Sequence, residues 1–293
     1  MMIKLLRGDY VRLWKSTVFR LFLAATFICT MYSITLFDTS VKSPDFLFVM
    51  DMPASVIAAI CIAALIGIDY HNGTIRNKLS VGHSRVSVYF SNLIVSSTAA
   101  ILLYIERILI VLAAAVPIHG ELSQPISENL LMIGANMMCI LAFSAIYVLI
   151  AALNTNMTAG SVIALLTAFG MYFAAVWTYN KQQCTEYMWS QARMDDKIVS
   201  FIVKNPSYVE LPMRTGLLLL YDVLPNGQMA QLTEAAKKNT QWSRANYDSF
   251  NNDFDLYYFE NQTSAYELIQ LSFAVMLACT TCGVFLFCQK DLK

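Results

Sequence analysis

Charge is what this sequence has least of. Asp, Glu, Lys and Arg make 14% of 293 residues, where a soluble domain carries roughly 25%. The signs balance at 20 each, so net charge gives no reason to expect a polyanionic partner, and nucleic-acid binding has no support. No G-x-x-x-x-G-K-[ST] run is present to cradle a nucleotide's phosphates. No H-E-x-x-H pair, and no nucleophile beside a base, points to an intramembrane hydrolase, so no catalytic residue is assigned. The three histidines, His71, His83 and His119, have no ligand spacing and no metal site follows from them. Six of the seven cysteines fall inside apolar runs, where Cys behaves as a small buried hydrophobe. Cys184 alone lies in a long polar segment, which leaves an intrachain disulfide no obvious second partner. Cys279 and Cys282 have C-x-x-C spacing, but within an apolar helix, where two packing residues are the better account.

What is abundant is apolar surface: 57% hydrophobic residues and a mean hydropathy of +0.52. The chain is expected to be an integral membrane protein, all-α and polytopic. Residues 1–16 alternate Leu5, Leu6, Tyr10, Leu13 and Trp14 with Lys4, Arg7, Arg12 and Lys15, as in an amphipathic helix lying in the membrane interface. Six apolar runs are expected to span at 1.5 Å per residue: about Val18–Phe37, Pro53–Ile68 (or from Phe46, with Asp51 at the water boundary), Leu93–Ile118, Leu130–Leu153, Met157–Tyr179 and Leu268–Cys288. The first five fill residues 17–179, and the last, with a short tail, fills 267–293. Two of them carry small residues every four positions, Ala59, Ala63 and Gly67 in one and Gly160, Ala164 and Ala168 in the other, spacing that lets a neighbouring backbone approach.

Residues 180–266 form a long polar and aromatic segment. Within it Thr215–Leu224 is apolar but too short to cross, so a buried or interfacial helix is expected there. Asn251, Asp253 and Asp255 suggest a calcium loop, but Leu256 stands at the sixth position and Gln262 at the twelfth, where an EF-hand needs Gly and Glu. With six spans both termini share a side. That side collects Lys4, Arg7, Arg12, Lys15, Arg76, Lys78, Arg85, Lys290 and Lys293, whereas Lys42 alone serves the two short loops opposite. The positive-inside rule puts both termini in the cytoplasm and the 180–266 segment outside.

One cytoplasmic connection, residues 69–90, is more elaborate than a loop that merely reverses the chain. Its core, Asp69–Arg85, reads DYHNGTIRNKLSVGHSR. Gly73 is expected to end one helix and Thr74 to cap a short second one, with Ile75 and Leu79 sharing a face and Arg76, Asn77 and Lys78 pointing elsewhere. Gly82 ends it, and Ser84 and Arg85 lead into the next span. Spacing alone is equally compatible with a solvated basic loop that fixes topology.

The run GTIRNKLSVGHSR, followed by the Ser-Asn-Leu of Ser91–Leu93, resembles the cytoplasmic signature of bacterial ABC-2 type transporter permeases, Gram-positive ones in particular. In these the loop reads as an acidic residue, GTIRNKL, a glycine and a Ser-Arg. The N-terminal amphipathic helix, six spans, external segment and closing Lys-Asp-Leu-Lys of Lys290–Lys293 follow the same order, and Tyr221–Leu232, YDVLPNGQMAQL, is similar to part of the family's external region. His71 and Asn72 depart from it, standing where more acidic character is expected.

The resemblance implies a permease subunit of an ATP-binding-cassette exporter in the bacterial cell membrane, non-catalytic itself. It would pair with a second permease chain, homo- or heterodimeric, and bind two copies of a separate ATPase carrying ATP and Mg, with a peptide, lipid or toxic small molecule as substrate. The ATPase-coupling role carries over to Gly73, Thr74, Ile75, Arg76, Asn77, Lys78, Leu79, Gly82, Ser84 and Arg85. A membrane scaffold or sensor relaying an external ligand to a cytoplasmic partner is the alternative. Glu106 and Arg107 lie within a span, where an ionisable group costs about 2.5–3.5 kcal/mol on insertion scales. They are expected to face protein or water, either in a functional role or as a structural polar contact between helices.

Overall fold

The computed structural model describes residues 2–36, 51–119, 125–154, 156–182, 184, 186–194, 197–238 and 264–290. Helices dominate: α1 Met2–Lys15, α2 Thr17–Leu36, α3 Asp51–His71, α4 Thr74–Ser80 and α5 Arg85–Ile110. A π-helical turn, Val111–Ala115, carries α5 on into α6, Val116–His119. Then come α7 Ile126–Leu153, α8 Met157–Gln182, α9 Leu211–Val223, α10 Pro225–Lys238 and α11 Ala265–Gln289. An antiparallel hairpin between α8 and α9 departs from the all-helical expectation. It pairs β1, Tyr187–Met194, with β2, Lys197–Lys204, Tyr187 opposite Lys204.

Among the described residues, five helical stretches are long and apolar enough to cross a membrane: those in α2, α7, α8 and α11, and Arg85–Ile118. Residues Ser55–His71 of α3 and the short α4 pass the same test only when taken together as a pair bent by 59°. The chain is a multi-pass, mainly α-helical membrane protein.

Centre and periphery separate by burial. In α7, 61% of the most apolar window is buried, against 22% in α2, α8 and α11, so α7 is the core helix and the others turn most of their apolar surface outward, as lipid-facing helices do. Helix α11 lies along α7, α3 packs on both α7 and α8, and α5 packs on α7, α2 and α1. Ala59, Ala63 and Gly67 of α3 are buried, as are Gly160, Ala164 and Ala168 of α8, which fits the close packing of these two helices. Cys61 and Cys139 are buried, but Cys29, Cys282 and Cys288 are exposed on the outside of the bundle. An apolar run marks a membrane environment without saying which side of the helix faces protein.

Arg85–Ile118 has 34 residues and so spans about 51 Å, well beyond a hydrocarbon core of roughly 30 Å. Its first turns are therefore available to pack against α1 and α4 at one end of the bundle. There Arg12, Lys78, Arg85 and Lys290 are tied to neighbouring elements by hydrogen bonds. This is the basic end.

At the opposite end the chain folds back into the protein. Pro225 opens α10 at a position where its missing N–H costs nothing, and the helix packs against α7, α8 and α3. Asn226, Gln228 and Gln231 are buried although α10 is polar overall. Gly227 is required there, because a Cβ would overlap the Tyr221 carbonyl oxygen. The apolar stretch before it becomes α9, whose Leu217 and Tyr221 are buried while Met213, Leu219 and Val223 are exposed.

Candidate functional site

The Asp69–Arg85 stretch forms a hinge between two glycines. Gly73 has φ 67° and Gly82 φ 94°, both in the left-handed region that residues with a Cβ avoid. At Gly73 the α3 ladder stops: its N–H donates to the Tyr70 carbonyl at 3.0 Å, and its own carbonyl accepts from Asn77 N–H at 2.9 Å. The chain restarts as α4. Thr74 is thus the first helical residue and not the cap; the capping position is Gly73, with no side-chain cap bond. At the other end Gly82 N–H donates to the Leu79 carbonyl at 3.0 Å and His83 N–H to the Lys78 carbonyl at 3.2 Å, the paired bonds of a Schellman termination. Ser84 then caps α5, its Oγ accepting from Ser87 N–H at 3.2 Å.

Ile75 and Lys78 of α4 are buried, Leu79 is half-buried, and Arg76 and Asn77 are exposed. Lys78 therefore shares the inward face with Ile75 instead of pointing away with its neighbours. Lys78 is 7% exposed, and its ammonium donates to Asp9 Oδ2 at 2.9 Å, Asn92 Oδ1 at 3.3 Å and Asp69 Oδ2 at 3.4 Å, three acceptors for three protons.

Asp9, 6% exposed, also accepts from Ser91 Oγ at 2.6 Å and from Arg12. Arg12 reaches across to Asp69 Oδ1 at 3.1 Å. Two acids and two bases from α1, α3 and α4 thus close a neutral ring, seated on Ser91 and Asn92 of α5. Burial pushes the Lys78 amine down to about 8, with Asp69 pulling it back up, so it stays charged at neutral pH. A cleft of about 300 Å³ opens beside the ring, with Arg12, Lys15, Asn72 and Thr74 on its wall.

Asp9 and Asp69 are not singled out by sequence reasoning, although a signal for Asp9 exists. Leu5, Asp9 and Leu13 recur every four residues and are the buried stripe of α1, so an acid at the centre of an apolar stripe calls for a cation opposite.

Arg85 and Lys290 form a second tie at this end. Arg85 Nη1 donates to the carbonyls of Phe287 and Cys288, at 3.4 and 3.1 Å, and to that of Lys290. It thereby satisfies carbonyls that the end of α11 leaves without helical partners. Lys290 Nζ donates to the Ala152 carbonyl at 2.7 Å and lies 4.7 Å from the centre of the Tyr70 ring; burial lowers its pKa to about 8. The ends of α3, α7 and α11 and the start of α5 are thereby held together.

Glu106 and Arg107 part company, as adjacent helical residues do. Arg107 is buried, its guanidinium 5.7 Å from the centre of the Tyr104 ring. Glu106 is half-buried on the wall of an apolar groove between α2 and α5. A third polar group, which no local pattern in the sequence marks, sits in the core: Ser272 Oγ donates to Gln228 Oε1, and Cys139 Sγ lies 3.4 Å from both of those oxygens. Asn226 Nδ2 donates to Ser55 Oγ at 3.2 Å. Among the described residues no three metal-ligating side chains cluster. The segment with Asn251, Asp253, Asp255, Leu256 and Gln262 lies outside the described residues.

Fold and site together define a multi-pass membrane protein with an ion-paired, glycine-bounded hinge at one end. The sequence matches no protein-family model and no curated protein.

Proposed function

We propose that this chain is the permease subunit of an ATP-binding-cassette exporter, with α4 as the helix that a separate ATPase moves. One observation carries this reading. Helix α4 is fastened on one side and open on the other: Ile75 and Lys78 are buried against the bundle, while Arg76 and Asn77 are exposed. A loop that served only to fix topology needs no buried ion ring behind it. A lever that transmits force needs both a grip for its partner and a rigid attachment to the elements it moves.

The ring supplies that attachment to three elements at once, α1, the end of α3 and the start of α5. Displacement of α4 would pull on all of them, and the 59° bend at Gly73 is where the angle to α3 can change without breaking a helical ladder. In this reading α1 lies at the cytoplasmic interface, α3 is the sixth span, α10 is a plug near the outer end, and a second permease chain completes the pathway.

The test is Arg76→Glu in the native host. An inserted variant that loses co-purification of an ATPase, and loses transport, supports the coupling role. Unchanged co-purification and transport would sink it. If the unsubstituted chain brings down no ATPase and instead retains a kinase, the scaffold or sensor reading takes over.

A further inference from the structure

We propose that the groove between α2 and α5 is a binding site for a single-chain cationic amphiphile, with Glu106 as counter-ion to its amine. The groove has a volume of about 590 Å³, within the roughly 300–1,000 Å³ of small-molecule sites. Its wall is apolar: Phe27 and Met31 from α2 face Leu102, Leu109 and Ala113 across it, and Glu106 is the one ionisable residue on the wall among the described residues. A site of that composition suits an alkyl chain, and a carboxylate at that depth selects a positive head. Glu106 Oε2 is buried and accepts no hydrogen bond among the described residues, although a buried polar group ordinarily has a partner.

The neighbouring cation does not serve, because Arg107 is turned to the Tyr104 ring in the core. The π-helical turn Val111–Ala115 follows one turn after Glu106 and contributes the small residues Ala113 and Ala114 to the wall. Such turns recur at functional sites.

Depth separates this occupant from the bilayer's own aminolipids. Tyr10 of α1 hydrogen-bonds Thr98 at 2.8 Å, and Glu106 lies eight residues, about 12 Å, further along α5. With α1 in the interface, as in the functional proposal, a lipid ammonium held at headgroup level falls short of the carboxylate, whereas a free alkylamine can slide down to it. The Coulomb attraction between the two charges is stronger in this low-dielectric setting than in water. The proposal concerns binding alone and does not require that an ATPase drive the chain.

Trp14 lines the same groove and serves as a reporter. The full chain, with its other tryptophans replaced (Trp177→Phe, Trp189→Phe and Trp242→Phe), is placed in phosphatidylcholine nanodiscs and titrated with bromoundecylamine or with the uncharged bromoundecanol. The amine is expected to quench Trp14 at a mole fraction roughly ten-fold lower than the alcohol, and Glu106→Gln to abolish that difference. Leu109→Trp, which fills the groove without touching the charge, should lower the binding of tritiated amine even if the Gln variant fails to insert.

Equal quenching by amine and alcohol, or a preference that survives Glu106→Gln, overturns the proposal. So does shielding of Trp14 from both probes, which would mean that a second copy covers the groove. Displacement of the amine by added phosphatidylethanolamine would assign the site to a bilayer lipid and overturn the single-chain occupant.

Discussion

The two faces of α4 are built from adjacent residues and behave as different materials. On the inner face Lys78 is enclosed by Asp9, Asp69 and Asn92, and Ile75 is packed into the core. On the outer face Arg76 and Asn77 are exposed. Lys78 and Arg76 are both cations in a seven-residue helix, yet one is held by three acceptors and the other is exposed. A basic cluster in sequence is therefore not one functional unit. Rotation by about 100° per residue divides it into a buried, ion-paired side and an exposed side.

The largest effect should come from breaking the anchor. Lys78→Met removes the buried one of the two cations on Asp9, leaving Arg12; half-broken buried pairs cost on the order of 3–5 kcal/mol, and the retained Arg12 contact should place the loss at the low end. Thermal unfolding of the detergent-solubilised chain should show the loss. Adding Asp9→Asn should then cost less than it does in the unsubstituted chain; additive losses would mean that the two do not act as a pair.

Next in size is the hinge. Gly82→Ala places a Cβ on a residue at φ 94° and should destabilise by about 1–2 kcal/mol, whereas Gly82→Asn, which tolerates the left-handed region, should cost less. Equal melting of both variants with the native chain would mean that the end of α4 is not held in this conformation.

Arg76→Glu should change stability by less than about 0.5 kcal/mol, as an exposed position allows. A large fall in its melting temperature would erase the distinction between the faces and would also spoil the coupling test built on it.

A pH dependence tests the anchor by a separate route. Burial takes the Lys78 pKa from its ordinary 10.5 to about 8. Below about pH 8 both folded and unfolded chains hold the proton, and the contribution of this group is flat. Between about 8 and 10.5 the unfolded chain binds more protons, so stability should rise with pH. The native chain should gain relative to Lys78→Met between pH 7.5 and 9.5 in parallel melts. A relative fall would show that the carboxylates outweigh burial at this amine.

Much of the frame is legible in the residues alone. Apolar runs of sufficient length mark the helices, Gly73 and Gly82 mark the ends of α4, and the arginines and lysines mark the basic end. The site is legible only in part. Lys78 groups with Arg76 in sequence because no local feature of a short helix says which side will meet the bundle, and Asp9 is far from Lys78 along the chain. The hairpin and the inward α10 escape sequence reasoning for the opposite reason. Proline-divided polar segments read as exterior, and only packing shows that Asn226, Gln228 and Gln231 enter the core.

By itself the sequence determined that this chain enters a membrane, how often apolar runs recur, and where Asp69–Arg85 bends, because hydropathy, length and glycine stereochemistry are local properties. The tertiary structure alone decided which charges are spent inside and which remain outside. Ion pairing depends on distance in space, and the ring joining Asp9, Arg12, Asp69 and Lys78 exists only when α1, α3 and α4 are brought to one end of α5.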